Sequence, residues 1–239
     1  SWDGYNRKFA KRSVKEFMTT KTGNSAEINL FLSGALNAAE IEAYPVIIST
    51  RDNGKVIKTY PFDQSFNYVI VYAKVNGRWR LFDATDTYCP NNKIPVKCIN
   101  DVGLLIKEDE TNWVKLIPNQ ISLIESNFNI NFEDETEKLL CKTRISATGY
   151  DAIEFRKEYK NDPDNLKDRF LLSDHLIQSE IQTINYNNVS KPYIISYDFQ
   201  TEAESIVNKI IINPFMNTAI NDNPLKQKVM IFPDGYIRK

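Results

Sequence analysis

The dipeptide Asn76-Gly77 lies between two runs of strand-forming residues, Phe66 to Val75 and Arg78 to Thr85. A two-residue type I′ hairpin loop needs positive φ at both central positions, which asparagine and glycine tolerate best. The loop length fixes the register, so that Val75 faces Arg78, Tyr72 faces Leu81, Ile70 faces Asp83 and Tyr68 faces Thr85. Side chains alternate between the faces of a strand. Tyr68, Ile70 and Tyr72 therefore share a face with Leu81, Asp83 and Thr85. Tyr68 and Asp83 become diagonal neighbours, about 7–8 Å apart at the backbone and within side-chain reach. Any fold for this chain must contain that ribbon.

Around the ribbon, 239 residues can hold one large domain or two smaller ones. Hydrophobic residues at 42% and charged residues at 26% are ordinary for a globular protein. A formal net charge of −1 argues against broad attraction to nucleic acid or to an anionic membrane. No apolar run approaches the roughly 18 residues of a membrane-spanning helix, and no signal peptide is visible. The chain opens on Ser1-Trp2-Asp3-Gly4 rather than methionine and reads as a processed product or an excised fragment. Cys89, Cys98 and Cys141 are an odd number without metal-ligand spacing. They read as buried free thiols, with a Cys89–Cys98 bridge as the alternative.

Phe9, Ser13, Val14, Phe17 and Met18 recur every three or four residues, which predicts a surface helix over residues 6–20, ended by Thr22-Gly23. Asn24 and Glu27 predict a capping pair for a second helix. Its Ile28, Leu30, Phe31, Leu32, Ala35, Leu36 and Ala39 lie nearly all round and predict a buried central helix. Residues 43–50 read as a strand, 51–65 as a polar loop and 86–118 as a loop-rich extension with short strands. The character then changes. Ile121–Phe132 and Leu139–Ser146 alternate like paired strands around the acidic turn Glu133–Glu137. Tyr150–Tyr159 and Asp164–Leu172 have helical spacing, the second opened by Asp162-Pro163. Glu180–Tyr186, Tyr193–Phe199 and Ile206–Ile212 read as strands, with Asn213-Pro214 ending the last.

Gly23–Asn29, Ala38–Thr50, Phe66–Tyr72 and Leu81–Asp86, in this order and spacing, resemble a transglutaminase-like (papain-related) core of bacterial multidomain proteins. Gly149-Tyr150-Asp151-Ala152, Arg156-Lys157-Glu158-Tyr159 and Asn213-Pro214-Phe215 resemble the β-rich domain that follows such cores. The resemblance implies an α+β fold in two parts. Residues 1–118 would be the core, a central helix packed on an antiparallel sheet. Residues 119–239 would be a mostly-β domain with helices near 150–172. It further implies an upstream β domain that this chain lacks, so the core is expected to be N-terminally truncated. The expected location is periplasmic, secreted or cell-surface.

In active members of that fold a cysteine starts the central helix, whose positive end lowers the thiol pKa. A histidine on the first hairpin strand is the base, and an aspartate on the second orients it. Carried onto this sequence, those positions are Ser25, Tyr68 and Asp83, and the aspartate alone is retained. A serine hydroxyl needs a competent base, and tyrosine, with an ordinary pKa near 10, is neutral at pH 7. Losing base catalysis forfeits roughly 10²–10⁴-fold in rate. The single histidine, His175 in Ser173-Asp174-His175-Leu176, lies far away and reads as a helix C-terminal cation or an exposed histidine, with a pairing to Cys141 as the alternative.

The expectation is therefore a catalytically inactive module that binds or scaffolds a peptide or glycan. Trp2, Tyr44, Tyr60, Phe66, Tyr68, Tyr72 and Trp79 would lie near its vestigial cleft. An alternative is an amidase or peptidase with altered chemistry, using Ser25 with Asp83 or Asp86 and a base from another domain. A third is a structural spacer. No cofactor and no metal are expected: no glycine-rich phosphate loop is present, and Asp198, Glu202 and Glu204 are not spaced as ligands.

Overall fold

The structure, a computed structural model, describes residues 1–108, 110–117, 121–171, 175–207 and 209–212. The Asn76-Gly77 turn has the positive φ that a type I′ loop needs, 52° and 73°. It joins two strands of a five-stranded sheet made of β1 (Ala43–Ile48), β2 (Tyr68–Val75), β3 (Arg78–Phe82), β4 (Val102–Lys107) and β5 (Glu110–Lys115), in the order β3-β2-β1-β4-β5. Val75 pairs with Arg78 and Tyr72 with Leu81, as the loop length requires. All four pairings are antiparallel. The short strands expected after residue 86 are β4 and β5, and β4 pairs with β1 inside the main sheet. Pro45 has no N–H to give, and the β1–β4 ladder covers Val46 and Ile47 alone.

Each face of this sheet has its own core. On one, Ala43, Val71 and Ala73 are buried with Leu32 and Leu36 packed against them. Those leucines belong to α2 (Ser25–Ala38). On the other, Val46, Ile48, Tyr68 and Ile70 pack with Leu105 and Leu116 and with Ile94 and Cys98 of the loop that precedes β4.

The helices before β1 differ from expectation in two ways. The predicted helix over 6–20 shrinks to α1 (Val14–Thr20). Backbone amides of Arg7, Lys11 and Arg12 are taken by side chains of α2 instead of forming helical bonds. Ser13 and Glu16 then form the capping box that starts α1, and left-handed Lys21 closes it. The second difference is the facing of α2. Its Asn24–Glu27 capping box forms as predicted, but the helix is not buried all round. Ser25, Asn29 and Ser33 are buried, whereas Leu30 and Phe31 are 37% and 38% exposed.

Downstream lie β6 (Ile124–Glu133), β7 (Lys138–Ala147), α3 (Gly149–Tyr159), α4 (Pro163–Phe170), β8 (Leu176–Ile177), β9 (Gln182–Ile184) and β10 (Tyr193–Glu202). β6, β7, β10 and β8 form a second sheet in that order, with β9 on β10. The predicted strand over 206–212 is instead the hairpin β11 (Glu204–Ile206) and β12 (Lys209–Ile211). Asn213, Pro214 and Phe215 lie outside the described residues.

The chain forms two compact units from interleaved segments, where the sequence suggested a single join after residue 118. The first combines residues 1–125, 145–161 and 183–194, so α3 groups with the main sheet rather than with the strands around it in sequence. The second holds 126–144, 162–182 and the described residues from 195. Within it, Tyr197 donates its hydroxyl to the Phe170 carbonyl at 2.9 Å, and His175 stacks on Phe199 with centroids 4.0 Å apart. Among the described residues no helix is long and apolar enough to cross a membrane.

Candidate functional site

Ser25 occupies the first position of α2, where the helix dipole favours negative charge. Its hydroxyl is fully buried and fully engaged. It donates to the Arg7 carbonyl at 2.8 Å and accepts the Arg7 N–H at 2.8 Å, while the Ser25 N–H reaches the Tyr5 carbonyl at 3.2 Å. The segment before α1 thus closes over the start of the helix.

One turn on, Asn29 joins the helix to the ribbon. Its amide donates to the Val69 carbonyl at 2.8 Å and to Asp83 Oδ2 at 3.0 Å, and its oxygen accepts the Ala84 N–H at 2.9 Å. Asp83 Oδ1 accepts the Thr85 N–H at 2.8 Å and the Thr85 hydroxyl at 2.6 Å. Thr85 Oγ1 also lies 2.7 Å from the Tyr68 hydroxyl. Tyr68 and Asp83 therefore meet through Thr85, the residue that the hairpin register places opposite Tyr68.

Tyr68 is fully buried. Burial first, and then the Asp83 charge, hold its phenol well above the ordinary tyrosine range, so it stays neutral. Cys98, beside it, is pushed well above the usual thiol range by burial and then by Asp83. Cys89 is raised to about 12, mainly by burial. All three cysteines are free and buried, which matches the thiol reading and not the Cys89–Cys98 bridge. Such thiols carry little thiolate at neutral pH.

Lys97 brings a cation to this corner. Its ammonium lies 3.5 Å from the Trp2 ring centroid, 4.6 Å from that of Tyr68 and 3.2 Å from Asn6 Oδ1. Burial lowers its pKa, with nearby acids working the other way. Thr85, Lys97 and Trp2 line an open cleft of about 530 Å³ with Asp86, Tyr88 and Lys157. Lys157 pairs there with Asp86.

The aromatic residues expected around one cleft are divided. Trp2 lines the Lys97 cleft, Tyr68 is buried with its ring beside Lys97, and Tyr60 meets Phe62 edge-on. Tyr44, Tyr72 and Trp79 form a separate stack. Sequence reasoning missed Asn29, Thr85, Arg7 and Lys97. Asn29 and Thr85 had signals: Ser25, Asn29, Ser33 and Asn37 recur every four residues along one helix face, and Thr85 was already in register with Tyr68. Arg7 acts through its backbone and Lys97 arrives from a remote loop, so neither has a local signature.

Among the described residues no group of three or more histidine, cysteine or acidic side chains gathers as a metal site. Comparison of the chain with protein-family models, curated proteins and solved structures finds no match.

Proposed function

We propose that the chain is a catalytically inactive, transglutaminase-like module of a bacterial extracytoplasmic protein. It holds a peptide or glycan in the cleft beside Thr85 and Lys97 without turning it over. The observation that carries this reading is the state of Ser25. Both hydrogen-bonding functions of its hydroxyl go to the Arg7 backbone, and no basic side chain takes its proton. An alcohol so placed lacks the base that nucleophilic attack needs. The order of Ser25 on the helix, Tyr68 on the first ribbon strand and Asp83 just beyond the second supports the family resemblance. Tyr68, neutral and bonded to Thr85, serves as a buried core residue of the sheet rather than as a proton acceptor.

The test is Ser25→Ala, assayed for amide hydrolysis and for glutamine–lysine crosslinking. No turnover is expected from either the parent or the variant. The variant should lose about 1–2 kcal/mol of stability, because the Arg7 N–H and carbonyl lose a buried partner. Turnover by the parent that Ser25→Ala abolishes would overturn the reading.

A further inference from the structure

β3 and β5 are the two edges of the first sheet, yet they border one cleft. Trp79, Arg80 and Leu81 from β3 line it, as do Trp113, Val114 and Lys115 from β5. The sheet therefore curls until its edges face each other across about 640 Å³ of open space, with Asn92, Lys93 and Ile94 of the intervening loop completing the lining. That volume lies within the roughly 300–1,000 Å³ common for small-ligand clefts. It is distinct from the Lys97 cleft, with which it shares no lining residue.

Two features of the lining point to a ligand. The first is charge. Among the described residues, Arg80, Lys93 and Lys115 line the cleft and no carboxylate does, although the chain as a whole carries a formal charge of −1. Lys93 rests its charge on the Tyr150 ring, 5.3 Å from the centroid. The second feature is a flat aromatic face. Trp79 stacks on Tyr72 with centroids 4.7 Å apart and planes 15° apart, and it also stacks with Tyr44, with centroids 6.0 Å apart. The indole stays 37% exposed. Stacking on Tyr72 and Tyr44 already fixes its orientation, so presenting its exposed part costs little side-chain entropy on binding.

We propose that this cleft binds an acidic glycan, a short chain of sugar rings carrying carboxylates. The ring seats on Trp79, because polarised C–H bonds of a sugar face suit the negative face of an indole. Lys93 supplies a point charge to a carboxylate, and Arg80 and Lys115, at the two edge strands, add to the positive field at the rims. The Asn92 amide can both give to and accept from ring hydroxyls. An acidic peptide would satisfy the cations but leave the indole face without a matching ring. A single-stranded nucleic acid would bring a phosphate at every residue to a chain with no net positive charge. Binding here makes and breaks no bond, and it stands independently of the fate of Ser25.

The experiment is calorimetric titration of the whole chain with a galacturonic-acid hexamer. A neutral glucose hexamer, polyglutamate of matched charge and an oligo-dT serve as comparisons, at low salt and at about 0.15 M. The galacturonate hexamer should bind, and the neutral hexamer at least roughly tenfold more weakly. Trp79→Ala should cost about tenfold in affinity. Lys115→Glu, at an exposed position, should weaken binding with an unchanged melting temperature, so a folding failure in the tryptophan variant cannot mask the result. Absence of galacturonate binding overturns the proposal. So does tighter binding of polyglutamate or oligo-dT, or affinity that neither variant alters. Cleavage of the hexamer would overturn this proposal, in which no bond is broken, and would refute the non-catalytic reading above as well.

Discussion

Glu27 shows how much one residue of α2 carries. Its carboxylate accepts Arg12 Nε at 3.2 Å and the Arg12 guanidinium again at 2.8 Å. It also accepts the backbone N–H groups of Lys11, Arg12 and Asn24, so one side chain caps the helix and pins the segment that covers Ser25. The Arg12 hydrogen bonds hold its pKa at about 2, below the ordinary 4.5, although burial works the other way. A carboxylate with a depressed folded pKa adds stability that is present above the unfolded value and lost as pH falls through the folded one. That contribution should be full above about pH 4.5 and fade toward pH 2. Glu27→Gln should cost about 2 kcal/mol at pH 7, because charge-assisted hydrogen bonds to a buried acceptor are lost. Urea midpoints of the parent and the variant should converge as the pH is lowered to about 3. An equal gap at both pH values would show that the charge does not hold the segment.

At the scale of elements, two glycines separate two kinds of constraint. A Cβ on Gly77 would meet nothing within 4 Å, but its φ is +73°. Gly77→Ala should therefore cost about 1 kcal/mol through backbone strain alone. Gly103 on β4 is the reverse case. A Cβ there would come within 2.5 Å of Val46 Cγ1 and 2.6 Å of Ile48 Cγ2. Gly103→Ala should cost more, about 1–3 kcal/mol by overpacking at the β1–β4 seam. Chemical denaturation of the two variants gives the ranking, and a Gly103→Ala midpoint above that of Gly77→Ala would contradict it. The contrast also marks what was legible in the sequence. The hairpin register and the α2 cap follow from chemistry within four residues, so Asn76-Gly77 and Asn24–Glu27 could be read directly. The seam at Gly103 depends on a strand more than fifty residues away in sequence. The start of α1 was misread because its upstream amides are claimed by Ser25 and Glu27. The facing of α2 differs from expectation because Asn29 finds partners on the ribbon and Asn37 at Ala43, beside Leu32 and Leu36, which leaves Leu30 and Phe31 on the outer side.

For the whole molecule, what matters is how one compact unit is assembled from segments separated along the chain. Arg156 on α3 has the central part in joining 145–161 to 183–194. It is fully buried and donates to the carbonyls of Ala152, Asn185, Tyr186, Asn188 and Lys191 at 2.8–3.3 Å. Its ring contact is Tyr193, 5.4 Å from the guanidinium carbon to the centroid. The same two segments are fastened to residues 86–97. Tyr150 donates its hydroxyl to the Ile94 carbonyl at 3.1 Å, Lys157 pairs with Asp86, and the hydroxyls of Tyr88 and Tyr186 lie 2.8 Å apart. Nothing around Arg156 in sequence announces this role, since its partners are backbone oxygens that any residues would present. The arrangement needs a planar fork of donors, which a lysine ammonium cannot reproduce. Arg156→Lys should therefore behave as a disruptive change, costing at least about 3 kcal/mol, since several charge-assisted bonds are lost at once and buried carbonyls are left without donors. Hydrogen exchange should localise the damage to residues 185–191. If the lysine variant kept the parent midpoint and protected those amides equally, the carbonyl cage would be incidental, and the cohesion of the interleaved unit would rest on the apolar contacts of α3 instead.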